Sequence, residues 1–324
     1  MTPSSERLVV LVSTVLDLET DAVTRSLCSR GVECVRFNTD AFPFGHHITW
    51  ECSDQHDQVL RFHGRQIQPY SVWVRKIRGP AQPHDMSTGI YDFCRSEAYH
   101  TIRGSLLALQ GVRSMSPIDR IWTAENKLLQ LSVARKVGLD IPRTMITNRP
   151  QSVLDAYAMF GGRMVCKPVH SGYVDDGETG MAIYTSQVLE QHLANVESAA
   201  FCPSIYQELL DKEFDVRVTW VGGRAFAASI DSQSDPSSSI DWRATTNPQL
   251  GHDRISLPPS IVIRIERLMS ALGLSYGALD FVKTRKGEWK FLEVNPNGQW
   301  LWLDDFLDFG ITDAVANWLS GERV

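Results

Sequence analysis

Two alternating segments near the C-terminus constrain this chain more than any other feature. They are Leu279-Asp280-Phe281-Val282-Lys283 and Trp289-Lys290-Phe291-Leu292-Glu293-Val294-Asn295, with Arg285-Lys286-Gly287 between them. Polar and apolar residues alternate in both arms, which predicts a β-hairpin. A period of two puts Glu293 and Asn295 on one face of the second strand and Leu292 and Val294 on the other. Asp280 leaves the first strand opposite Leu279 and Phe281. Two carboxylates and an amide oxygen converging from paired strands are hard donors, suited to Mg²⁺ rather than zinc. An exposed hairpin face with incidental acids would use the same residues, and the hairpin alone does not choose between the two.

A chain of 324 residues is long enough for two or three domains with a real core. Its formal net charge of −6 argues against a general nucleic-acid or anionic-membrane surface. The six cysteines (Cys28, Cys34, Cys52, Cys94, Cys166, Cys202) form no CxxC pair, and the nine histidines show no HxxxH or HExxH spacing. Zinc, a dithiol redox site and a disulfide framework therefore lack support, and a reducing cytosol is expected. The N-terminus does not read as a signal peptide, and no run approaches the roughly 18 apolar residues of a membrane span. The expectation is a soluble cytoplasmic protein with neither a nucleic-acid nor a membrane partner.

Residues 8–12 are continuously apolar, as in a buried strand. Residues 17–30 have helical spacing (Leu18, Ala22, Leu27) and stop at Gly31, and residues 33–37 give a second strand. This β-α-β opening predicts a parallel α/β domain over residues 1–116. No GxGxxG follows the first strand, which weakens a dinucleotide-binding reading. Within the same domain a hairpin turning at His63-Gly64, a strand at 72–75 and a helix at 91–109 are expected. A second segment, 117–203, reads as a helix at 120–136 with Lys127 one turn in, a strand at 143–147 and a helix at 151–160. It continues with a strand at 164–167, a glycine-flanked loop at 170–180 and a strand at 181–184. The third, 204–324, reads as strands at 205–208, 214–221 and 224–230, a polar stretch at 231–247, a helix at 260–272 and the hairpin.

Lys127 and Lys167, taken singly, would be ordinary solvated lysines. Beside an oxygen-rich hairpin they match a nucleotide site, with two ammonium groups neutralising phosphates. The loop at 170–180 would close over those phosphates, and no Walker A sequence exists. Gln207-Glu208-Leu209-Leu210 is a strand-to-loop transition whose backbone would read an adenine edge, or it is an ordinary strand end. Arg217, flanked by Val216 and Val218, shares a face with Asp215 and needs a partner, either a structural acid or a phosphate. Arg243 would serve a substrate carboxylate or a γ-phosphate, or lie solvated on its loop.

In order and approximate spacing, Lys127, Lys167, Gln207-Glu208, Asp215-x-Arg217, Asp280 and Glu293-x-Asn295 resemble the ATP-grasp ligases over residues 117–305. A narrower resemblance covers nearly the whole chain. It rests on Phe37-Asn38-Thr39-Asp40-Ala41-Phe42-Pro43, Val72-Trp73-Val74-Arg75-Lys76, Ala124-Glu125-Asn126-Lys127-Leu128-Leu129-Gln130-Leu131, Asp241-Trp242-Arg243 and Glu293-Val294-Asn295-Pro296-Asn297-Gly298-Gln299-Trp300. These look like the ATP-grasp ribosomal peptide maturases, which include the microviridin-type macrocyclases that make graspetides. Gly298-Gln299-Trp300 is the most discriminating piece, since it goes beyond the general ATP-grasp pattern.

The resemblance implies an α/β ATP-grasp fold: a pre-ATP-grasp α/β domain (1–116), then central (117–203) and C-terminal (204–324) α+β domains with ATP between them. It implies that Lys127 and Lys167 bind phosphates, that Gln207, Glu208 and Leu210 surround adenine, and that Glu213 meets the ribose, with Asp215 in the same nucleotide site. Asp280, Glu293 and Asn295 would hold Mg²⁺, two ions in all, and Arg217 and Arg243 would steady the γ-phosphate or an acyl phosphate. The implied reaction activates Asp or Glu side chains of a ribosomal precursor peptide and closes ω-ester or ω-amide crosslinks. The implied partner is that peptide, with a leader and a core of Asp/Glu plus Thr, Ser or Lys, and the implied assembly is a homodimer. The leader site is expected in the central domain, around residues 170–180. Two rivals stand beside this reading. One is a ligase adding an amino acid or amine to a peptide or protein carboxylate; the other is a non-catalytic peptide-binding ATP-grasp domain.

Overall fold

The computed structural model describes residues 7–324, except residues 55, 110, 171, 176–179, 246 and 248. Its first sheet is centred on Val9–Ser13, every residue of which is buried. Cys34–Asn38 and Ser71–Val74 lie parallel on either side, and Arg113–Ser114 pairs beyond the latter. The crossover helix Leu18–Ser29 ends at Gly31 with φ +69°, the left-handed geometry expected at that stop. Ile48–Ser53, His56–Phe62 and Arg65–Gln66 form a small antiparallel sheet that turns at His63-Gly64. The helix Thr88–Leu107 completes the domain.

The helix expected at 120–136 is two helices, Ile118–Ala124 and Lys127–Lys136. Asn126 is extended between them, and its side chain accepts the Leu129 N–H at 3.0 Å. Asparagine competes well for backbone donors, so it favours a cap over a helix interior. Lys127 is therefore the first residue of a helix rather than one turn inside one.

The central sheet runs Ser186–Val188, Met164–Pro168, Ser204–Glu208, Thr144–Thr147, all antiparallel neighbours. Ser204–Glu208 thus belongs to this sheet, and the divide between sheets falls after Glu208 rather than between 203 and 204. Alternation along a strand predicts the strand but not the sheet it joins. Within the expected loop at 170–180, Tyr173–Asp175 pairs with Gly180–Ala182; Ser171 and residues 176–179 lie outside the described residues.

The third sheet runs His252–Arg254, Arg224–Ile230, Lys212–Val221, Tyr276–Thr284, Trp289–Asn295, again antiparallel. The helices Pro259–Leu272 and Lys127–Lys136 pack on it through a core that includes Leu131, Ala134, Ile265, Leu279 and Phe291. Two helices not read from the sequence, Leu301–Leu307 and Ile311–Ser320, carry the chain back to the first domain. Val315 and Leu319 share a core with Val9, Leu11 and Val23, and Ser71 Oγ donates to the Leu319 carbonyl at 2.7 Å. Among the described residues, no helix is long and apolar enough to cross a membrane.

Candidate active site

The two segments pair as the expected antiparallel hairpin. Asp280 lies directly opposite Glu293, and Ala278 opposite Asn295, so all three polar side chains leave the same face. A bulge then brings Phe281 opposite Phe291, with both rings fully buried. The polar face looks into a cleft of about 860 Å³ whose walls come from residues on or beside the first, central and third sheets. Val165, Lys167, Gln207 and Glu208 contribute from the central sheet, and Arg75, Lys76, Ile77 and Arg78 from the first domain.

Charges in the cleft are unequally shared. Glu293 meets Lys127 Nζ at 3.0 Å and Arg243 Nη1 at 3.9 Å. Burial opposes its ionisation, but Lys167, Lys127 and Arg243 together outweigh burial and hold Glu293 down to about 2. Burial lowers Lys167 to about 8; Glu293 resists that fall and Lys127 adds to it. Asp280 has the opposite fate. Burial pushes its carboxyl up to about 6 even though Arg217 favours the charged form. Arg217 Nε stands 3.2 Å from Asp280 Oδ1, yet both atoms are buried without a hydrogen bond. A buried acceptor left in this state is costly, and a hard cation relieves it. Asp280, Glu293 and Asn295 therefore fit Mg²⁺. Among the described residues no three His, Cys, Asp or Glu side chains gather as a metal site, so such an ion depends on this carboxylate–amide trio.

Two side chains stiffen the site. Gln130 Nε2 donates to the Val294 carbonyl at 2.8 Å while its Oε1 accepts the Val294 N–H at 2.9 Å. Val294 sits between Glu293 and Asn295, so Gln130 ties their strand to the helix that opens with Lys127. Arg243 forks onto Asp241 through Nε (2.9 Å) and Nη2 (2.8 Å), and Asp241 also accepts the Thr185 N–H at 3.1 Å. Burial works against the Asp241 charge, but Arg243 prevails and holds it down to about 2. The fork aims Arg243 at the cleft.

Of the residues singled out in the sequence, Lys127, Lys167, Gln207, Glu208, Leu210, Asp215, Arg243, Asp280, Glu293 and Asn295 line this one cleft. Within it, Gln207 Nε2 bonds Thr144 Oγ1 at 2.8 Å and Glu208 is held by Arg143 at 2.7 Å. Both carboxylate oxygens of Asp215 meet Lys212 Nζ at 3.1 Å, so this acid arrives already paired. Glu213 is exposed at a ladder irregularity between Lys212 and Phe214 and does not line the cleft. Arg217 stands behind Asp280 with the Trp242 ring 5.5 Å away, also out of the lining, so it reaches the site through Asp280. Lys212, Gln130, Asp241, Arg75 and Lys76 went unassigned in the sequence. The last two had a signal, namely charges ending an otherwise apolar buried strand.

A family model for the MvdD pre-ATP grasp domain matches residues 8–122. The structure of macrocyclase MdnB from Microcystis aeruginosa MRC superposes with a TM-score of 0.80 at 30% identity, covering 97% of this chain and 99% of that one. This chain belongs to the ATP-grasp ribosomal peptide maturases. MdnC from the same strain, a macrocyclase solved bound with its precursor peptide MdnA, gives 0.86 at 29% identity over 97% of this maturase and 100% of MdnC. A probable alpha-L-glutamate ligase of Xylella fastidiosa (strain M12) is 26% identical over 74% of the chain and 73% of its own length.

The Gly298-Gln299-Trp300 tail of the maturase is a joint between domains. Trp300 is fully buried, 5.7 Å from the Trp73 ring of the first domain and 5.3 Å from Tyr276. Tyr276 Oη donates to the Gly298 carbonyl at 2.6 Å. A Cβ on Gly298 would stand 2.2 Å from Ala278 Cβ, so only glycine lets the tail lie this close to the strand. Arg75, buried beside the Trp300 ring, donates to the Asn297 carbonyl. Asn297 N–H in turn bonds Asn295 Oδ1 at 2.9 Å. The first domain thus reaches an Asn295 side chain at the cleft through two hydrogen bonds.

Proposed function

We propose that this maturase activates side-chain carboxylates of a ribosomal precursor peptide with ATP and closes ester or amide crosslinks within that peptide. The observation that carries the reading is the convergence of Asp280, Glu293, Lys127, Lys167 and the Asp241-held Arg243 on one cleft. An oxygen of an Asp or Glu side chain attacks the γ-phosphorus of ATP, the bond to ADP breaks, and an acyl phosphate forms. A hydroxyl or amine of the same peptide then attacks the acyl carbon, inorganic phosphate leaves, and the nucleophile gives up its proton. Phosphorylation supplies the leaving group that a carboxylate lacks, so the protein's task is chiefly charge neutralisation and positioning.

Lys127 and Lys167 would hold the phosphates, and Arg243 would follow the transferred phosphoryl group onto the carboxylate. Leu210 with Val165, Pro142 and Leu292 would flank the adenine, an apolar slot beside Gln207 and Glu208. Asp280, Glu293 and Asn295 would hold Mg²⁺, two ions in this reading. Bound there, Mg²⁺ supplies positive charge against the phosphate oxygens. Glu213 and Arg217 take supporting places, since neither reaches the cleft wall. A homodimer belongs to the same reading, and light scattering at twice the 36.4 kDa chain mass would check it.

Similarity to the probable glutamate ligase favours a second reading, the addition of a free amino acid or amine to a carboxylate. One measurement separates them. Incubated with ATP, Mg²⁺ and the peptide encoded beside its gene, the maturase should remove about 18 Da per bond, the mass of one water lost on ring closure. A mass gain that depends on a free amino acid would establish the second reading instead.

A further inference from the structure

The cleft extends beyond the nucleotide region. Ile77 and Arg78 line it on the first-domain side, and the same two residues form one wall of a second cavity of about 280 Å³. The opposite wall is the helix Thr88–Leu107, whose Asp92, Arg95, Tyr99 and Ile102 recur every three or four residues and so share one face. The floor is apolar, made of buried Phe42, Ala98 and Ile102. The rim is polar, with Arg95 paired to Asp92 at 3.0 Å.

Arg78 differs from its neighbours. Its backbone N–H bonds Thr39 Oγ1 at 2.9 Å, but its exposed guanidinium has no ion-pair partner among the described residues. Phosphates have cations of their own elsewhere in the cleft, in Lys127, Lys167 and Arg243. Arg78 is therefore, among the described residues, a cation without an ion-pair partner at the junction of the two cavities. The second cavity is below the roughly 300–1,000 Å³ of small-molecule sites, and it suits one or two side chains rather than a cofactor.

We propose that this cavity is a subsite for the substrate peptide, taking one apolar or aromatic side chain while Arg78 holds an acidic side chain beside it. The proposal rests on the peptide-ligase reading above. Its chemistry follows from that substrate: a peptide whose carboxylates react must bring acids past Arg78, and a planar guanidinium pairs with a carboxylate in two parallel bonds. Anchoring a neighbouring side chain sets the distance from the anchor to the reacting carboxylate, so the subsite decides which acid enters the cleft first.

The test uses two variants at exposed positions. Ser96→Trp puts an indole over the cavity mouth, and Arg78→Gln removes the charge while keeping most of the length. The probe is the peptide, from the reading frames beside the gene, that the wild-type protein crosslinks. In each variant KM for the peptide should rise about tenfold relative to KM for ATP, and Arg78→Lys should recover part of the loss. Changing the anchoring apolar residue of the peptide to alanine should cost the wild type a similar factor and cost Ser96→Trp almost nothing more. A peptide KM within about twofold of wild type in both variants overturns the subsite. A wild type that binds ATP but crosslinks none of those peptides overturns the peptide-ligase reading instead.

Discussion

Asp280 and Glu293 are opposed residues of one hairpin, yet they sit in contrary electrostatic states. Three cations surround Glu293 and keep it ionised, whereas at Asp280 Arg217 and, more weakly, Arg243 are outweighed by burial and by the Glu293 and Asp215 charges. Glu293 therefore contributes stability that is complete above the ordinary carboxylate range and is lost as pH falls towards about 2. Glu293→Gln removes the charge that balances Lys127 and Lys167. We expect it to cut peptide-dependent turnover at least about 100-fold, while ADP still binds in calorimetry without Mg²⁺ because the lysines remain. An equal loss of Mg²⁺-free nucleotide binding would refute this division of roles. Glu293 and Asn295 were legible on one face because strand alternation is local, whereas Asp280 joins that face through the pairing of the two strands. Gln130 was not legible, since only folding brings it to Val294; Lys212 lies three residues from Asp215, but its other partner, the Ile240 carbonyl, is likewise brought near only by folding.

At the scale of the element, the break before Lys127 matters most. An uninterrupted helix would present Lys127 in its interior; the Asn126 cap makes it the opening residue, with its ammonium on Glu293. Asn126→Ala should cost about 1 kcal/mol in urea unfolding, the usual worth of such a cap, and raise KM for ATP as the first turn frays. Unchanged stability would mean that the helix start is held by Gln130 alone. Strands were the easier part of the sequence because their alternation is local. The helix break was marked in the sequence by Asn126 alone, a residue that prefers a cap but also occurs inside helices. The assignment of Ser204–Glu208 to the central sheet was hidden too, because pairing is a property of two segments rather than one.

Across the whole molecule, the first domain shares one core with the third sheet and the last two helices. Val9, Leu11 and Trp73 from the N-terminal region pack in a single cluster with Trp300, Val315 and Leu319. Trp300→Ala should cost roughly 3–5 kcal/mol, as large-to-small changes at buried aromatics do, and lower the melting temperature of the entire chain. Calorimetry should show one transition for the wild-type protein. Two separate transitions would show that the domains melt independently and that the shared core is not cooperative.

The bond from Arg75 to the Asn297 carbonyl has a consequence for how such a protein can be rebuilt. Residues that belong to the first domain by sequence hold the backbone that presents Asn295. The three parts are therefore not interchangeable cassettes. A chimera that took residues 8–122 from a relative would need its own guanidinium under Asn297 and its own indole against Trp300; without them, a graft made to change the substrate would also unsettle the cleft that Asn295 lines.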